Sequence, residues 1–299
     1  MSRMPSEQFN NMVQMFKTQR AAAAGEPNIL ELRQGFEMLA QLMPKAEADV
    51  AAVDANGVPS ERISTDGADD ARCILYLHGG GFCIGSLNTH RHVAAHLSRA
   101  AGTPVLLIDY RLAPENPYPA AVDDAKAAYR WLLDGGVEPR KLAIAGESAG
   151  GGLTVTLQIA ARDEGLPLPA ASAPHSPYAD LADLGEVTEE ALDIDFLRPE
   201  ALDIFCSSYV GAADKTDPLL SPVNADLSGL PPMLIQAGGA EILCDTARRL
   251  AARAKDCGVD VTLEIEPGLF HAWQLFAGAL PEAAESIART GAFFKEHWA

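Results

Sequence analysis

The stretch KLAIAGESAGGG at residues 141–152 decides how the rest of the chain is interpreted. It contains a short apolar run at 142–145, which has the length of a buried parallel strand. Residues 146–150 match the pattern G-x-S-x-G, and residues 153–162 have a composition typical of a helix. A strand, a tight turn and a helix in this order predict a turn that holds the hydroxyl of Ser148 exposed at its apex.

Glycine at the two ends of this pattern has a steric reason. Side chains at positions 146 and 150 would collide with neighbouring backbone, and glycine also tolerates strained dihedral angles. The backbone N–H of Ala149, at the start of the helix, can point at an oxygen that gains negative charge. Ser148 is therefore the candidate nucleophile, and Ala149 is a candidate donor to the oxyanion that its attack would create.

Apolar runs alternate with segments of helical periodicity along most of the chain. The predicted strands are residues 73–77, 104–110, 142–145, 171–179, 232–237 and 259–265, and the predicted helices are 89–101, 118–133, 153–162, 244–257 and 281–298. The pair Asn56-Gly57 between two shorter apolar runs adds a predicted hairpin. This alternation predicts an α/β fold whose mostly parallel central sheet is covered by helices on both faces.

Two regions do not follow the alternation of strands and helices. Residues 6–45 have helical periodicity, which predicts two helices broken near Gly25-Glu26-Pro27. Residues 180–215 are acidic and rich in loops, with short helical pieces. We expect residues 1–46 and 180–215 to form a helical cap, called the cap below. Residues 47–179 and 216–299 would then form the catalytic domain.

Composition excludes several classes of partner. The chain has 299 residues and a net charge of −18 at pH 7, which is not the basic footprint of a nucleic-acid-binding protein. No apolar run has the length of a membrane span, and residues 1–17 lack the apolar centre of a signal peptide. We therefore expect a cytoplasmic protein without membrane insertion. Five cysteines at irregular spacing predict reduced thiols.

A serine nucleophile needs a base and an acid, and both have candidates near the end of the chain. His271 follows the last predicted strand in the loop EPGLFHAW, where a general base would be expected. The acid that orients it is Glu241 or Asp245, in the segment GGAEILCD after the preceding strand. The chain order serine, acid, histidine is typical of α/β-hydrolases. Glycines 79–81 after His78 could supply further N–H donors to the oxyanion.

Several motifs together resemble one branch of the α/β-hydrolases, the hormone-sensitive-lipase-like family of bacterial family IV carboxylesterases. They are HGGGF at 78–82, DYRLAPE at 109–115, GESAGG at 146–151, DPLLSP at 217–222 and the segment 241–271. The resemblance implies a serine carboxylesterase acting on short- to medium-chain esters through an acyl-enzyme. It implies an oxyanion hole of Gly80, Gly81 and Ala149, a small-molecule ester substrate, no cofactor and no metal. Many relatives form dimers, so the resemblance also allows a homodimer.

The sequence departs from the family pattern at three places. Glu147 stands before the serine, where the family usually has Asp or Thr, and we expect it to form a structural ion pair. At the acid position, the family pattern aligns Glu241 with the catalytic residue and Asp245 with a later aspartate, so we favour Glu241. The family's H-G-F reads His-Ala-Trp at 271–273, a change that we expect to alter the rim of the pocket.

Other interpretations remain open at this point. The same triad also serves amidases, lactonases and formamidases, and the same fold without its histidine serves plant receptors for small molecules. Among His90, His92 and His96, the last two are four residues apart on a predicted helix, which suggests a metal site. We do not favour it, because no glutamate follows His92 as in H-E-x-x-H and no third ligand is evident for that pair. We expect residues 109–111 to form a structural network with Glu115, and residues 123–124 to lie on a helix surface.

Overall fold

The computed structural model describes residues 5–22 and 28–299, which contain a single eight-stranded sheet. Its strands are β1 Asp49–Asp54, β2 Pro59–Ser64, β3 Cys73–Leu77, β4 Val105–Ile108, β5 Leu142–Glu147, β6 Ala171–His175, β7 Met233–Gly238 and β8 Val261–Glu266. The strand order is β1-β2-β4-β3-β5-β6-β7-β8, and the neighbours from β4 to β8 are parallel. The antiparallel pairs are β1 with β2, which form the predicted hairpin, and β2 with β4. The predicted fold class is confirmed.

Helices lie between the strands, as the alternation predicted. They are α1 Glu7–Ala22, α2 Ile29–Gln41, α3 Leu87–Ala101, α4 Ala120–Asp134, α5 Ala149–Asp163, α6 Glu189–Ile194, α7 Pro199–Val210, α8 Cys244–Asp256 and α9 Pro281–His297. None of the helices within residues 5–22 and 28–299 is long and apolar enough to cross a membrane. All five cysteines are free thiols, as predicted. The predicted break at residues 25–27 lies outside the described residues.

The boundaries of two elements differ from the prediction. β6 ends at His175 instead of 179, because Ser176 has a φ of 42°, which no strand residue adopts. α5 begins at Ala149, directly after the serine, instead of at residue 153. The shorter β6 leaves residues 176–179 in the loop at the carboxyl edge of the sheet, and the earlier start of α5 makes the turn after β5 tight; ligands bind at this edge in α/β folds.

The sheet is buried on both faces, which explains the continuous apolar runs in its strands. In β3, Leu75 and Leu77 belong to the core that also contains residues of α4, α5 and α7. Ile74 and Tyr76 belong to the opposite core, which contains residues of α3, α9 and α1. Because side chains alternate between faces, a strand covered on both sides must be apolar at every position.

Helix α1 is attached to the rest of the protein by aromatic rings. Phe9 stacks on Phe270 with ring centroids 4.5 Å apart, and Phe16 contacts Phe196 at 5.1 Å and Phe270 at 5.5 Å. An ion pair of 2.6 Å between Lys17 and Asp193 also joins α1 to α6. Helix α1 therefore contacts both the segment around α6 and the loop between β8 and α9.

Expectations about polar residues near β4 are confirmed only in part. Asp123 is exposed on α4 as predicted, but Asp124 is buried and pairs with Arg111 at 2.7 Å. Glu115 binds Arg33 of α2 at 2.7 Å, so it does not join the network of Arg111. The sequence alone does not reveal which cationic side chain pairs with which anionic one when the two belong to separate elements.

We expect Phe9→Ala to lower the free energy of unfolding by about 3–5 kcal/mol, the usual cost of deleting a buried phenylalanine ring. The Phe9 ring is only 1% exposed. Urea unfolding followed by circular dichroism measures this change. The matched control is Met38→Ala on α2, a side chain that is 62% exposed, for which we expect less than about 0.5 kcal/mol. Equal effects of the two substitutions would show that α1 is not anchored by this ring.

Candidate active site

Ser148 occupies a strained turn between β5 and α5. Its φ of 56° and ψ of −121° are rare for a residue with a side chain. Backbone hydrogen bonds hold the turn: the Ser148 N–H donates to the His175 carbonyl at 3.0 Å, and its carbonyl accepts from Tyr178 at 2.8 Å. These bonds come from the end of β6 and the loop after it. The neighbouring strand therefore stabilises a conformation that the turn alone would not keep.

Glycine is required on both sides of the serine because the elbow touches the end of β3. A Cβ on Gly146 would collide with the Leu77 carbonyl and lie 2.5 Å from the Gly150 carbonyl oxygen. A Cβ on Gly150 would also collide with the Leu77 carbonyl and lie 2.6 Å from the oxygen of His78. The turn can approach the strand this closely only without side chains at the two positions.

The buried carboxylate of Glu147 organises the loop of glycines 79–81. Its Oε1 accepts from the Gly79 N–H at 2.5 Å and faces His90 Nε2 at 2.8 Å, and its Oε2 accepts from the Tyr76 hydroxyl at 2.9 Å. Burial alone raises the pKa of Glu147, but the charge and hydrogen bond of His90 and the bond from Tyr76 lower it below its ordinary value. The carboxylate therefore stays ionised and fixes the loop beside the elbow.

The glycine loop itself has a backbone that side chains would not permit. Gly80 and Gly81 have φ values of 109° and 59°. A Cβ on Gly80 would collide with the carbonyl of Ile84, and one on Gly81 would collide with the ring of Phe205 from α7. Because β3 and β5 are neighbours, the loop after β3 lies next to the turn after β5. The candidate N–H donors and Ser148 therefore share one edge of the sheet.

Glu241, and not Asp245, lies against the imidazole of His271. The distance between Glu241 Oε1 and His271 Nδ1 is 3.7 Å, and the two residues are 2% and 3% exposed. The other oxygen, Oε2, accepts from Ser176 Oγ at 2.7 Å and from the Gly238 N–H at 2.9 Å. Asp245 instead pairs with Arg249 one turn later on α8, at 2.9 Å. The geometry thus offers Glu241 as the acid that faces the base.

The pKa of His271 is raised by its surroundings. Burial alone would lower it, but the facing carboxylate of Glu241 and the charge of Asp195 outweigh that effect. The net pKa lies above the ordinary value of 6.5. A base of this kind is stabilised as an imidazolium once it has taken a proton, which is what general-base catalysis by a triad requires.

Ser176 and Asp195 are two site residues that the sequence analysis did not identify. The Ser176 hydroxyl donates to Glu241 and accepts from the Ala272 N–H at 3.0 Å, so it bridges the two loops. Asp195 accepts from the N–H groups of His271 and Ile242. Ser176 follows directly after a strand at the carboxyl edge, and this position was the available signal. Asp195 has no comparable signal, because it belongs to a segment without a motif.

The triplet at 271–273 does not change the pocket rim, contrary to expectation. Trp273 is fully buried, and its Nε1 donates to the carbonyl of Glu282 in α9 at 3.3 Å. Ala272 has a φ of 49° and a ψ of 40°, a left-handed conformation that favours glycine. The glycine of the family pattern thus suits the backbone at this position, while the tryptophan anchors the loop that carries His271.

The histidines of α3 have partners other than a metal. His90 binds Glu147 and Thr89, and His92 Nε2 lies 2.5 Å from the carbonyl oxygen of Leu275. Burial lowers the pKa of His92 to about 4, so it is neutral at pH 7. No group of three His, Cys, Asp or Glu side chains in residues 5–22 and 28–299 has the arrangement of a metal site.

Known proteins share both the sequence and the structure. A sequence model of the α/β-hydrolase fold matches residues 74–275. An acetyl-hydrolase from Streptomyces hygroscopicus is 46% identical over 228 residues, which are 76% of each chain. Carboxylesterase NlhH from Mycobacterium tuberculosis is 39% identical over 232 residues, or 74% of this chain and 72% of that protein.

Solved structures cover nearly the whole chain. An esterase from the bacterial hormone-sensitive lipase family superposes with a TM-score of 0.94 at 42% identity, covering 99% of this chain and 100% of that one. A crystal of EstE5 soaked with p-nitrophenyl butyrate gives a TM-score of 0.92 at 40% identity, covering 98% and 99%. The chain belongs to the α/β-hydrolase family, in its hormone-sensitive-lipase-like branch, as the motifs predicted.

We expect Glu241→Ala to lower kcat by about 10³–10⁴-fold, because loss of the orienting acid in other triads costs this much. Asp245→Ala should cost less than about tenfold, because Asp245 pairs with Arg249 and not with His271. Steady-state hydrolysis of p-nitrophenyl butyrate by both variants tests the assignment. The reverse order of the two losses would transfer the acid's role to Asp245.

Proposed function

We propose that the protein is a serine carboxylesterase that hydrolyses short- to medium-chain carboxylic esters through an acyl-enzyme. The observation that carries the proposal is the contact of Glu241 Oε1 with His271 Nδ1, in a fold that presents Ser148 on a strained elbow at the same edge. The names of the relatives, acetyl-hydrolase and carboxylesterase, support an ester substrate. The butyrate ester soaked into EstE5 supports a short acyl chain.

Acylation begins when Ser148 Oγ attacks the carbonyl carbon of the ester. His271 takes the serine proton as the new carbon–oxygen bond forms, and Glu241 stabilises the resulting imidazolium. The carbonyl oxygen becomes an oxyanion, which accepts hydrogen bonds from the backbone N–H groups of Gly80, Gly81 and Ala149. The bond from the Gly79 N–H to Glu147 holds the loop of these glycines beside the elbow, so we expect little reorganisation as the charge develops.

The acyl-enzyme forms when the tetrahedral intermediate collapses and the alcohol leaves. His271 gives the leaving oxygen its proton and returns to the neutral form. A water molecule then attacks the acyl carbon, again losing a proton to His271, and the carboxylic acid leaves as the Ser148 hydroxyl is restored. The imidazole of His271 takes up and gives back each proton, so these reaction steps need neither a cofactor nor a metal.

The cap supplies the walls around the substrate. An apolar cleft lies between α2 and the loop that carries His271, beside the Phe196 ring, whose centroid is 6.0 Å from that of the imidazole. Its lining residues are Phe36, Leu39, Ala40, Met43, Thr89, His92, Phe196, Leu275 and Phe276. We assign the selection of the ester to the cap, residues 1–46 and 180–215, because its Phe196 ring lies beside the imidazole of His271.

We expect turnover of p-nitrophenyl esters that falls as the acyl chain lengthens from acetate and butyrate through octanoate to palmitate. Ser148→Ala should lower kcat by roughly 10⁵–10⁶-fold, as in other serine triads. A loss below about tenfold would remove Ser148 from its role. Turnover that is fastest on palmitate would contradict the short-chain assignment. Serine-dependent cleavage of amides alone would indicate an amidase with the same triad.

The pH profile tests the role of His271. Below its pKa the imidazole is protonated and cannot take the Ser148 proton, so kcat/KM should fall on the acid side. Because the pKa of His271 lies above 6.5, we expect the acid inflection of kcat/KM above pH 6.5. Initial rates of p-nitrophenyl butyrate hydrolysis between pH 5 and 9 measure this inflection. The released p-nitrophenol is followed at its isosbestic wavelength, where its two protonation states absorb equally. An inflection below pH 6 would contradict this assignment.

A further inference from the structure

The side chain of Asp195 joins the two loops that carry the candidate acid and base. Its Oδ1 accepts from the N–H of His271 at 3.3 Å, and its Oδ2 accepts from the N–H of Ile242 at 2.9 Å. Ile242 directly follows Glu241 in the chain. Asp195 itself lies at the end of α6, in the cap, where its own N–H donates to the Ala191 carbonyl. One carboxylate of the cap thus accepts hydrogen bonds from the backbone of both loops, the one with Glu241 and the one with His271.

The contacts of Asp195 favour an ionised carboxylate. A third backbone N–H, from Leu197, also donates to Oδ1 at 3.1 Å. All three partners are donors, and hydrogen bonds from N–H groups stabilise the charged form of a carboxylate. The side chain is only 1% exposed, which opposes ionisation. Burial, together with the charge of Glu241, raises the pKa of Asp195 to about 7, while the charge of His271 and the backbone donors lower it.

The charge of Asp195 is placed where it would favour the protonated base. The charged groups that face His271 are Glu241 from the loop after β7, Asp195 from the cap and Glu147 from β5. The carboxylate of Glu241 contacts the imidazole directly, and Glu147 is engaged by His90 and Tyr76. Asp195 therefore places a further negative charge near the acid–base pair, and its contact with His271 is to the backbone N–H.

We propose that Asp195 is a positioning residue through which the cap sets the distance between Glu241 and His271 and stabilises the imidazolium formed during catalysis. This role rests on the proposed function of the triad. It differs from that of a purely structural residue, because it acts through geometry and charge together. Loss of the charge should lower kcat and also make His271 easier to deprotonate. Loss of a structural contact alone would lower activity without moving the titration of the base.

The test compares Asp195→Asn with Asp193→Asn, the matched control on the same helix. Asp193 is an exposed carboxylate that pairs with Lys17, so both variants lose one negative charge. We expect Asp195→Asn to lower kcat by roughly 10–100-fold with little change in KM. Its acid inflection in kcat/KM should move to lower pH by about half to one unit, because a negative charge near the imidazole is lost. Asp193→Asn should match the wild type in both respects.

A second variant keeps the proposal testable if Asp195→Asn does not fold. Asp195→Glu retains the charge with one more methylene group, so it should lower kcat while its acid inflection stays at the wild-type pH. Wild-type kcat in Asp195→Asn would overturn the proposal. So would an unmoved inflection in that variant, or a moved one in Asp195→Glu.

Failure of the proposed function is distinguished by a readout that needs no turnover. Titration of the His271 ring in ¹⁵N-histidine-labelled protein, assigned with His271→Gln, should give a lower pKa in Asp195→Asn than in the wild type. If Ser148→Ala keeps full esterase activity, the proposed function fails, and this titration still tests Asp195. An unchanged titration of His271 in Asp195→Asn would overturn the role of Asp195 whatever the reaction.

Discussion

The close approach of the elbow to the end of β3 is the constraint on which the site depends. The carbonyl of Leu77 occupies the space that side chains at Gly146 and Gly150 would need. Contact at this distance brings the glycine loop after β3 alongside the start of α5. It also places Glu147, the residue before the nucleophile, within hydrogen-bond reach of the Gly79 N–H. The strained serine and the candidate oxyanion hole are therefore consequences of one steric fit.

A buried carboxylate beside an oxyanion hole has an electrostatic cost. An uncompensated charge on Glu147 would oppose the negative intermediate, and burial of an unpaired charge is itself strongly unfavourable. The protein offsets both effects with His90 at 2.8 Å, the Tyr76 hydroxyl and the Gly79 N–H. The imidazole of His90 comes from α3, so the helix that covers one face of the sheet also completes the electrostatics of the site.

Sequence patterns predicted those parts of the protein that are formed by residues adjacent in the chain. The run from β5 through Ser148 to α5 was visible because strand, glycine turn and helix are adjacent in the chain, and His271 was visible from its place after β8. Ser176 and the Arg111–Asp124 pair were not, because each depends on polar groups that meet only after the strands are assembled. A serine after a strand is common, and its partner in another loop leaves no trace in a single sequence.

The cap is bound to the site more tightly on one side than on the other. Phe205 lies against Gly81, Asp195 contacts the loops of Glu241 and His271, and Phe16 packs on Phe270. Moving α1, α6 or α7 would therefore disrupt buried contacts of the machinery itself. Helix α2 has no fully buried residue, and it borders the apolar cleft. Helix α2 instead joins the loops after β3 and β4, where the Arg33 guanidinium donates to the carbonyls of Cys83 and Ala113.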